Sequence, residues 1–368
     1  MGVTIHSDRS VEHSGLQNLL QTCVNFGAKY GKFNIADVLH KRKAVAAETC
    51  RMSFVVKTRI TEALAESKAD NTISLCTDMY TDDYRKKSYI DVHASWINRN
   101  FELNHAALAV THFGTVSHTA DNIHDALMVI LKDYDLSMTD IPATTDHGSN
   151  IVAALRNNIR VDCLCHRLHT VLDTAWRETK LQEPEAAEYE SAISELCRYA
   201  KQASGFQEQL PTSLKHGGDT RPWVSMFRRA DSVEKSFDVL VPKLTEKGRL
   251  ELIAKVSRSF NREILAITNS VKDVFESLEK ANEPTLHLVV PSYYLLQKSF
   301  KPVFRDSKPM KTFRSNLLKY LDEKYWTSVV AFHWIACFLD PTFKNLHFIP
   351  QVGMLQLDNI LVEVCLLS

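Results

Sequence analysis

The sequence predicts an α/β protein, on three observations. Residues 72 to 180 mix short β-rich runs with helical periodicity, residues 181 to 345 are helical almost throughout, and residues 11 to 69 are helical as well. The expected segments are 1–70, a small helical domain; 71–180, an α/β core; 181–345, a helical region; and 346–368, a tail. At 368 residues, 45% hydrophobic, with 11 Gly and 11 Pro, the composition is that of an ordinary folded protein. Lys+Arg and Asp+Glu both number 44, so net charge does not recommend nucleic acid, and DNA contact must rest on patches such as His40 to Lys43 or Arg221 to Arg229. The eight cysteines are scattered, and the first residues lack the order of a signal peptide, which points to a reducing cytosol or nucleus. No apolar run reaches the ~20 residues needed to cross a bilayer, so no membrane partner is expected.

The elements follow in order. Leu16, Leu19, Leu20, Cys23 and Val24 recur at helical spacing, and Phe54, Val55, Ile60 and Leu64 mark a second helix. Ile73 to Thr77, Ser88 to Ile97 and Phe101 to Val110 read as strands, the last two joined by the turn Asn98-Arg99-Asn100. A helix spans about Ala120 to Tyr134. Ile141 to Thr145 forms a short buried strand that delivers Asp146 at its end, before the turn His147-Gly148-Ser149 and the helical spacing of Ile151, Val152, Ala154 and Leu155. A second apolar run, Ile159 to Cys163, leads into a helix with Leu168, Val171, Leu172 and Ala175 on one face. Three strands, helix, strand, helix is the order of an RNase H-like core, whose crossover lays the Asp146 strand parallel to the first. Glu183 to Glu190 and Phe260 to Lys280 open or form long amphipathic helices beyond it.

Asp146 admits two readings. A carboxylate at a strand end is a common ligand for a hard divalent cation, and an Asp shortly before a Gly is also a common turn former or helix cap. The run Cys163-Leu164-Cys165-His166, with His169, holds four zinc-ligand types in seven residues, too close together to surround one ion easily.

Several motifs together resemble the hAT superfamily of DNA transposases, in particular the Hermes and hobo group. They are T-I-S-L-C-T-D-M-Y (Thr72 to Tyr80), H-T-A-D-N-I (His118 to Ile123), T-T-D-H-G-S-N (Thr144 to Asn150), C-L-C-H (Cys163 to His166), T-R-P-W-V-S (Thr220 to Ser225) and L-V-V-P-S (Leu288 to Ser292), with a weaker match at Phe332 to Pro341. The resemblance implies an RNase H-like core interrupted by a large all-helical insertion and preceded by a small helical domain for DNA binding and dimerisation. It implies three acids holding two Mg²⁺ ions for in-line attack on a phosphodiester. It implies double-stranded, transposon-end DNA and a homo-oligomer as partners, and the nucleus as the place of action.

Carried over residue by residue, Asp146 is the family's second acid. Laying the family's D-x-W-T pattern on T-I-S-L-C-T-D puts Ser74 at the first acid and Cys76 at the tryptophan. Asp78 is then a neighbouring acid, and a four-residue slip to bring it into place would move it roughly 13 Å along the strand. The third acid's S-x-x-S-E-R-x-F-S-type block does not follow Pro341; Glu363, the last acid, has Leu361, Val362, Val364 and Cys365 around it. T-R-P-W-V-S resembles T-R-W-N-S, whose Trp stacks on a flipped base, which gives Arg221 and Trp223 as DNA contacts; a buried core Trp is the other reading, and the extra Pro222 favours turning the ring away. Cys163 and His166 match a C-x-x-H pair expected to position DNA ends beneath Asp146.

The leading expectation is a transposon-derived protein that binds DNA and has lost cleavage and strand transfer, with Asp146 as a weak Mg²⁺ ligand and no other cofactor. An active cut-and-paste transposase using Mg²⁺ would need Asp78 and Glu363 to replace missing acids. A protein-interaction scaffold without DNA binding fits the zero net charge and the lack of a C-x-x-C with distal histidines before residue 70.

Overall fold

The computed structural model describes residues 14–32, 34, 41–82, 84–114, 116–139, 141–215, 222–280, 282–343 and 348–349. The chain divides into two compact units, Met1–Glu62 and Ala63–Ser368. The first contains α1 (Ser14–Tyr30) and the greater part of α2 (Arg42–Ala69). No described residue of this unit is buried, and Leu19, Leu20, Val24 and Phe54 are exposed at their helical spacing.

The second unit is built on a mixed five-stranded sheet of order β3-β2-β1-β4-β5. β1 (Ile73–Asp82), β2 (Lys87–Ile97) and β3 (Leu103–His112) form an antiparallel meander, and β4 (Ala143–Thr145) and β5 (Arg160–Asp162) run parallel to β1. The alternation of these strands is the cause of their two-faced burial: Ile73, Leu75, Ile90, Val92, Ala94 and Trp96 are buried, while Ser74, Cys76 and His93 between them are exposed. The crossover from β3 to β4 is α3 (Ala120–Lys132), started by Thr119, whose side chain accepts the Asn122 N–H, and buried along Ile123, Leu127, Ile130 and Leu131. Just past its end the Tyr134 hydroxyl donates to the Leu108 carbonyl at 2.6 Å, which ties the crossover to β3.

β1 is longer than its apolar run predicts. Its outer half, Asp78 to Asp82, is polar but pairs residue for residue with Asp91 to Lys87 of β2, so the ladder carries the strand past Thr77. This extension decides where the acids fall.

The short α4 (Ser149–Ala154) joins β4 to β5, and after β5 the chain is helical. α5 (Leu164–Gln182), α6 (Pro184–Gln202), α7 (Pro222–Glu246), α8 (Glu251–Ala254), α9 (Arg258–Leu278), α10 (Val289–Ser299) and α11 (Lys308–Tyr320) contribute to one large apolar core, and α12 (Ala331–Leu339) adds a smaller cluster around Trp334. Trp176 on α5 lies at the middle of an aromatic group, 5.1 Å from Phe313 and 6.4 Å from both Trp223 and Phe260 by ring centroid. A π-helical turn, Leu321–Tyr325, continues α11 and is held to the start of α5 by Arg167, whose Nε donates to the Lys324 carbonyl at 2.7 Å. Among the described residues no helix is long and apolar enough to cross a membrane.

Candidate functional site

The parallel pairing of β1 with β4 sets Leu75 opposite Ala143 and Cys76 opposite Thr144. Continued by two residues, this register brings Asp78 level with Asp146 on neighbouring strands, roughly 5 Å apart in the pairing direction. Ser74 lies back along β1, next to the Leu75 N–H that donates to the Pro142 carbonyl. The assignment of the first-acid position to Ser74, with Asp78 only a neighbouring acid that a strand slip would have to bring into place, is therefore corrected: without any slip, Asp78 is the β1 acid adjacent to Asp146. The physical reason is the long ladder with β2, which makes Asp78 an interior strand residue. Asp78-Met79-Tyr80-Thr81 also reads D-x-W-T with tyrosine for tryptophan, so the signal was present four residues downstream of where it was sought.

Asp78 faces Asp91 as well, its direct cross-strand partner. Burial raises the Asp78 carboxyl above the usual range; the Met79 N–H and His166 pull it down, and Asp146 and Asp91 push it up again. The Met79 N–H reaches Asp78 Oδ1 at 2.8 Å, and the Asp78 N–H donates to Asp91 Oδ1 at 3.2 Å. Asp146 is steadied from its own turn, where the Gly148 N–H donates to its Oδ1 at 3.1 Å. A Cβ at Gly148 would stand 3.2 Å from that oxygen, so a side chain there would press on the carboxylate.

His166 and Cys163 stand at the same end of the sheet. Cys163 is the N-cap residue of α5 and His166 lies in its first turn. Hydrogen bonding from the Cys165 thiol, joined by His166, draws the Cys163 thiol below its ordinary range against the effect of burial, the direction a helix N-terminus also favours. Among the described residues no three His, Cys, Asp or Glu side chains converge closely enough to hold a metal ion. The Asp78–Asp146 pair thus offers two hard oxygen donors and an incomplete ligand set.

A network that sequence reading missed sits on the other side of Asp146. His147 Nδ1 lies 2.9 Å from both oxygens of Asp162, at the end of β5; Asp162 also receives Arg160 Nη2 at 2.7 Å and the Ser328 hydroxyl at 2.6 Å. Arg160 further donates to the Thr145 hydroxyl and to the Asp146 carbonyl, at 3.0 and 3.2 Å. Burial raises the Asp162 carboxyl, but Ser328, His147 and Arg160 outweigh it and hold the group below the usual carboxylate range. A depressed folded value contributes stability above the unfolded pKa, about 3.9, and loses it as pH falls through the folded value. Asp162→Ala is expected to cost about 3 kcal/mol at neutral pH by stranding Arg160 and Ser328. In chemical denaturation at stepped pH, that difference should shrink below about pH 4; a constant difference would mean packing, not charge.

Trp223 is not on a DNA-facing surface. It is 3% exposed, packed 5.5 Å from Phe313 and 6.4 Å from Trp176, and its backbone N–H donates to Asp173 Oδ1 at 3.1 Å. The buried core reading holds, and the cause is local: Pro222 opens α7, as suits a residue without an N–H, and the helix carries Trp223 inward. Arg221 and Glu363 lie outside the described residues. Arg229, from the neighbouring basic patch, donates to the Ser194 hydroxyl at 2.9 Å.

No family model matches the chain. Its similarities to curated proteins nevertheless show a hAT-like transposase relationship. The hobo transposase of Drosophila melanogaster is 23% identical over 346 residues, 92% of this chain and 51% of that protein; zinc finger protein 618 of mouse and of human is 22% identical over 348 residues, 94% of this chain and 35% of theirs. The chain spans about half the length of the first relative and about a third of the other two.

Proposed function

We propose that this chain is a transposon-derived, hAT transposase-like portion of a protein that binds transposon-end-like duplex DNA in the nucleus, through an RNase H-like core with the helical region as its insertion. The reading includes a homo-oligomer as the working form. The observation that carries it is the register that sets Asp78 beside Asp146, in a chain related to a transposase along 92% of its length. The two carboxylates are the right chemistry for Mg²⁺, and a bound cation would offset both the burial and, to a lesser extent, the like charges of Asp146 and Asp91 that raise Asp78. When bound, Mg²⁺ would activate the attacking oxygen and neutralise charge on the phosphate. The chain's own part is to hold the acids: Met79 and Gly148 donate their N–H groups to Asp78 and Asp146. Such sites act as a unit, so in this reading, where the pair works without a further converging ligand, strand cleavage is lost.

The same register favours a second reading, a cleavage-competent transposase, because it answers the objection that the first acid is a serine. One gel separates the readings. Purified chain is mixed with duplex carrying inverted-repeat ends, with and without Mg²⁺ or Mn²⁺, beside Asp78→Asn and Asp146→Asn. A salt-sensitive shift without nicking is the expected result. Metal-dependent nicking abolished by either variant would establish the active enzyme, and neither shift nor nicking would leave a protein-interaction scaffold.

A further inference from the structure

The sheet face that carries Asp78 also carries a row of rings that the acid pair does not use. Tyr80 stands two residues beyond Asp78 and so on the same face; Tyr89 is its cross-strand partner on β2, and His112 is the partner of Tyr89 on β3. Tyr80 and Tyr89 stack at 5.3 Å between centroids with 17° between planes, and Tyr89 meets His112 at 5.5 Å and 60°. Tyr80 is 47% exposed in spite of this stack. The strand order explains the exposure. On its other side β1 pairs with β4, which ends at Thr145, level with Thr77, so no strand flanks Tyr80 there. One ring face rests on Tyr89, and the residue keeps nearly half its surface open beyond the last pairing of β4. Beyond Tyr80 the turn and the start of β2 add the exposed cationic residues Arg85, which lies 3.8 Å from Asp82, Lys86 and Lys87.

We propose that Tyr80 is a nucleobase-stacking residue. Its occupant is a base at a single-stranded DNA end, with the phosphate backbone running from the Asp78–Asp146 pair toward Arg85 to Lys87. The inference deepens the DNA-binding reading above and rests on it. Every base has a π-face, so the ring selects for unstacked strands without selecting sequence, and Tyr89 and His112 keep it upright. A cross-strand aromatic pair that served only the sheet would show no dependence on bases in a ligand.

The test is fluorescence anisotropy with a labelled oligothymidylate and a matched oligomer of abasic sites, which has the same phosphates and no bases. Stacking is worth about 1–3 kcal/mol per base, so Tyr80→Ala is expected to weaken oligothymidylate binding ~5- to 150-fold. Tyr80→Phe and Tyr80→Trp retain the wild-type affinity. The abasic oligomer binds all variants equally weakly. Tyr80→Leu, with melting curves for each variant, separates loss of the ring from loss of the fold. Equal binding of oligothymidylate by folded Tyr80→Ala or Tyr80→Leu and by wild type overturns the proposal, as does a wild type indifferent to bases. If the inverted-repeat duplex is bound and single strands are not, this inference alone falls; if neither is bound, the DNA-binding reading falls with it.

Discussion

Asp78→Asn will weaken Mn²⁺ binding and stabilise the fold in the same protein, and Ser74→Ala will do neither. Asp78 carries an unfavourable charge, half-buried, opposite Asp91 and beside Asp146. Losing one of two oxygen donors should lower Mn²⁺ affinity by more than about 10-fold, since even the outer partners of metal ligands are worth 10- to 100-fold. Removing a like charge from a directly opposed strand pair should add about 0.5–1 kcal/mol of stability at neutral pH. The sign in pH follows from the raised carboxyl. A group whose acidic form is favoured by folding destabilises the fold when ionised, above its folded value, and ceases to do so below the unfolded value of about 3.9. The stability gain of Asp78→Asn should therefore be largest near neutrality and vanish near pH 4. Calorimetric titration with Mn²⁺ and denaturation at several pH values measure both. If Ser74→Ala weakens Mn²⁺ binding and Asp78→Asn does not, the register argument fails.

Trp223→Ala will act on stability rather than on DNA. The ring is buried among Trp176 and Phe313, and it borders a solvent-open pocket of about 430 Å³ lined also by His169, Phe227, Arg228 and Phe275. Truncation removes a large buried ring from the aromatic core, so the cost should be about 3–5 kcal/mol. Trp223→Phe keeps most of the packing and should retain both the fold and any DNA affinity. Urea denaturation beside the duplex shift assay distinguishes the cases. A folded, fully stable Trp223→Ala that no longer shifts DNA would restore the ring as a base contact.

The local pattern of residues by itself determined the order of elements, the strand-to-turn-to-helix setting of Asp146, the helix begun at Thr119 and the kinship with hAT-like transposases. These are short-range properties: periodicity, turn residues and caps act within a few positions of each other. Tertiary structure decided which acid stands beside Asp146, legible locally only as the run Asp78 to Thr81, because β1 ends where pairing with β2 ends and not where its apolar run does. It likewise decided that Trp223 is core and that Asp162, which reads as one more polar residue before a cysteine, gathers His147, Arg160 and a serine 166 positions away. Register, burial and such long-range bonds depend on partners that no local window contains.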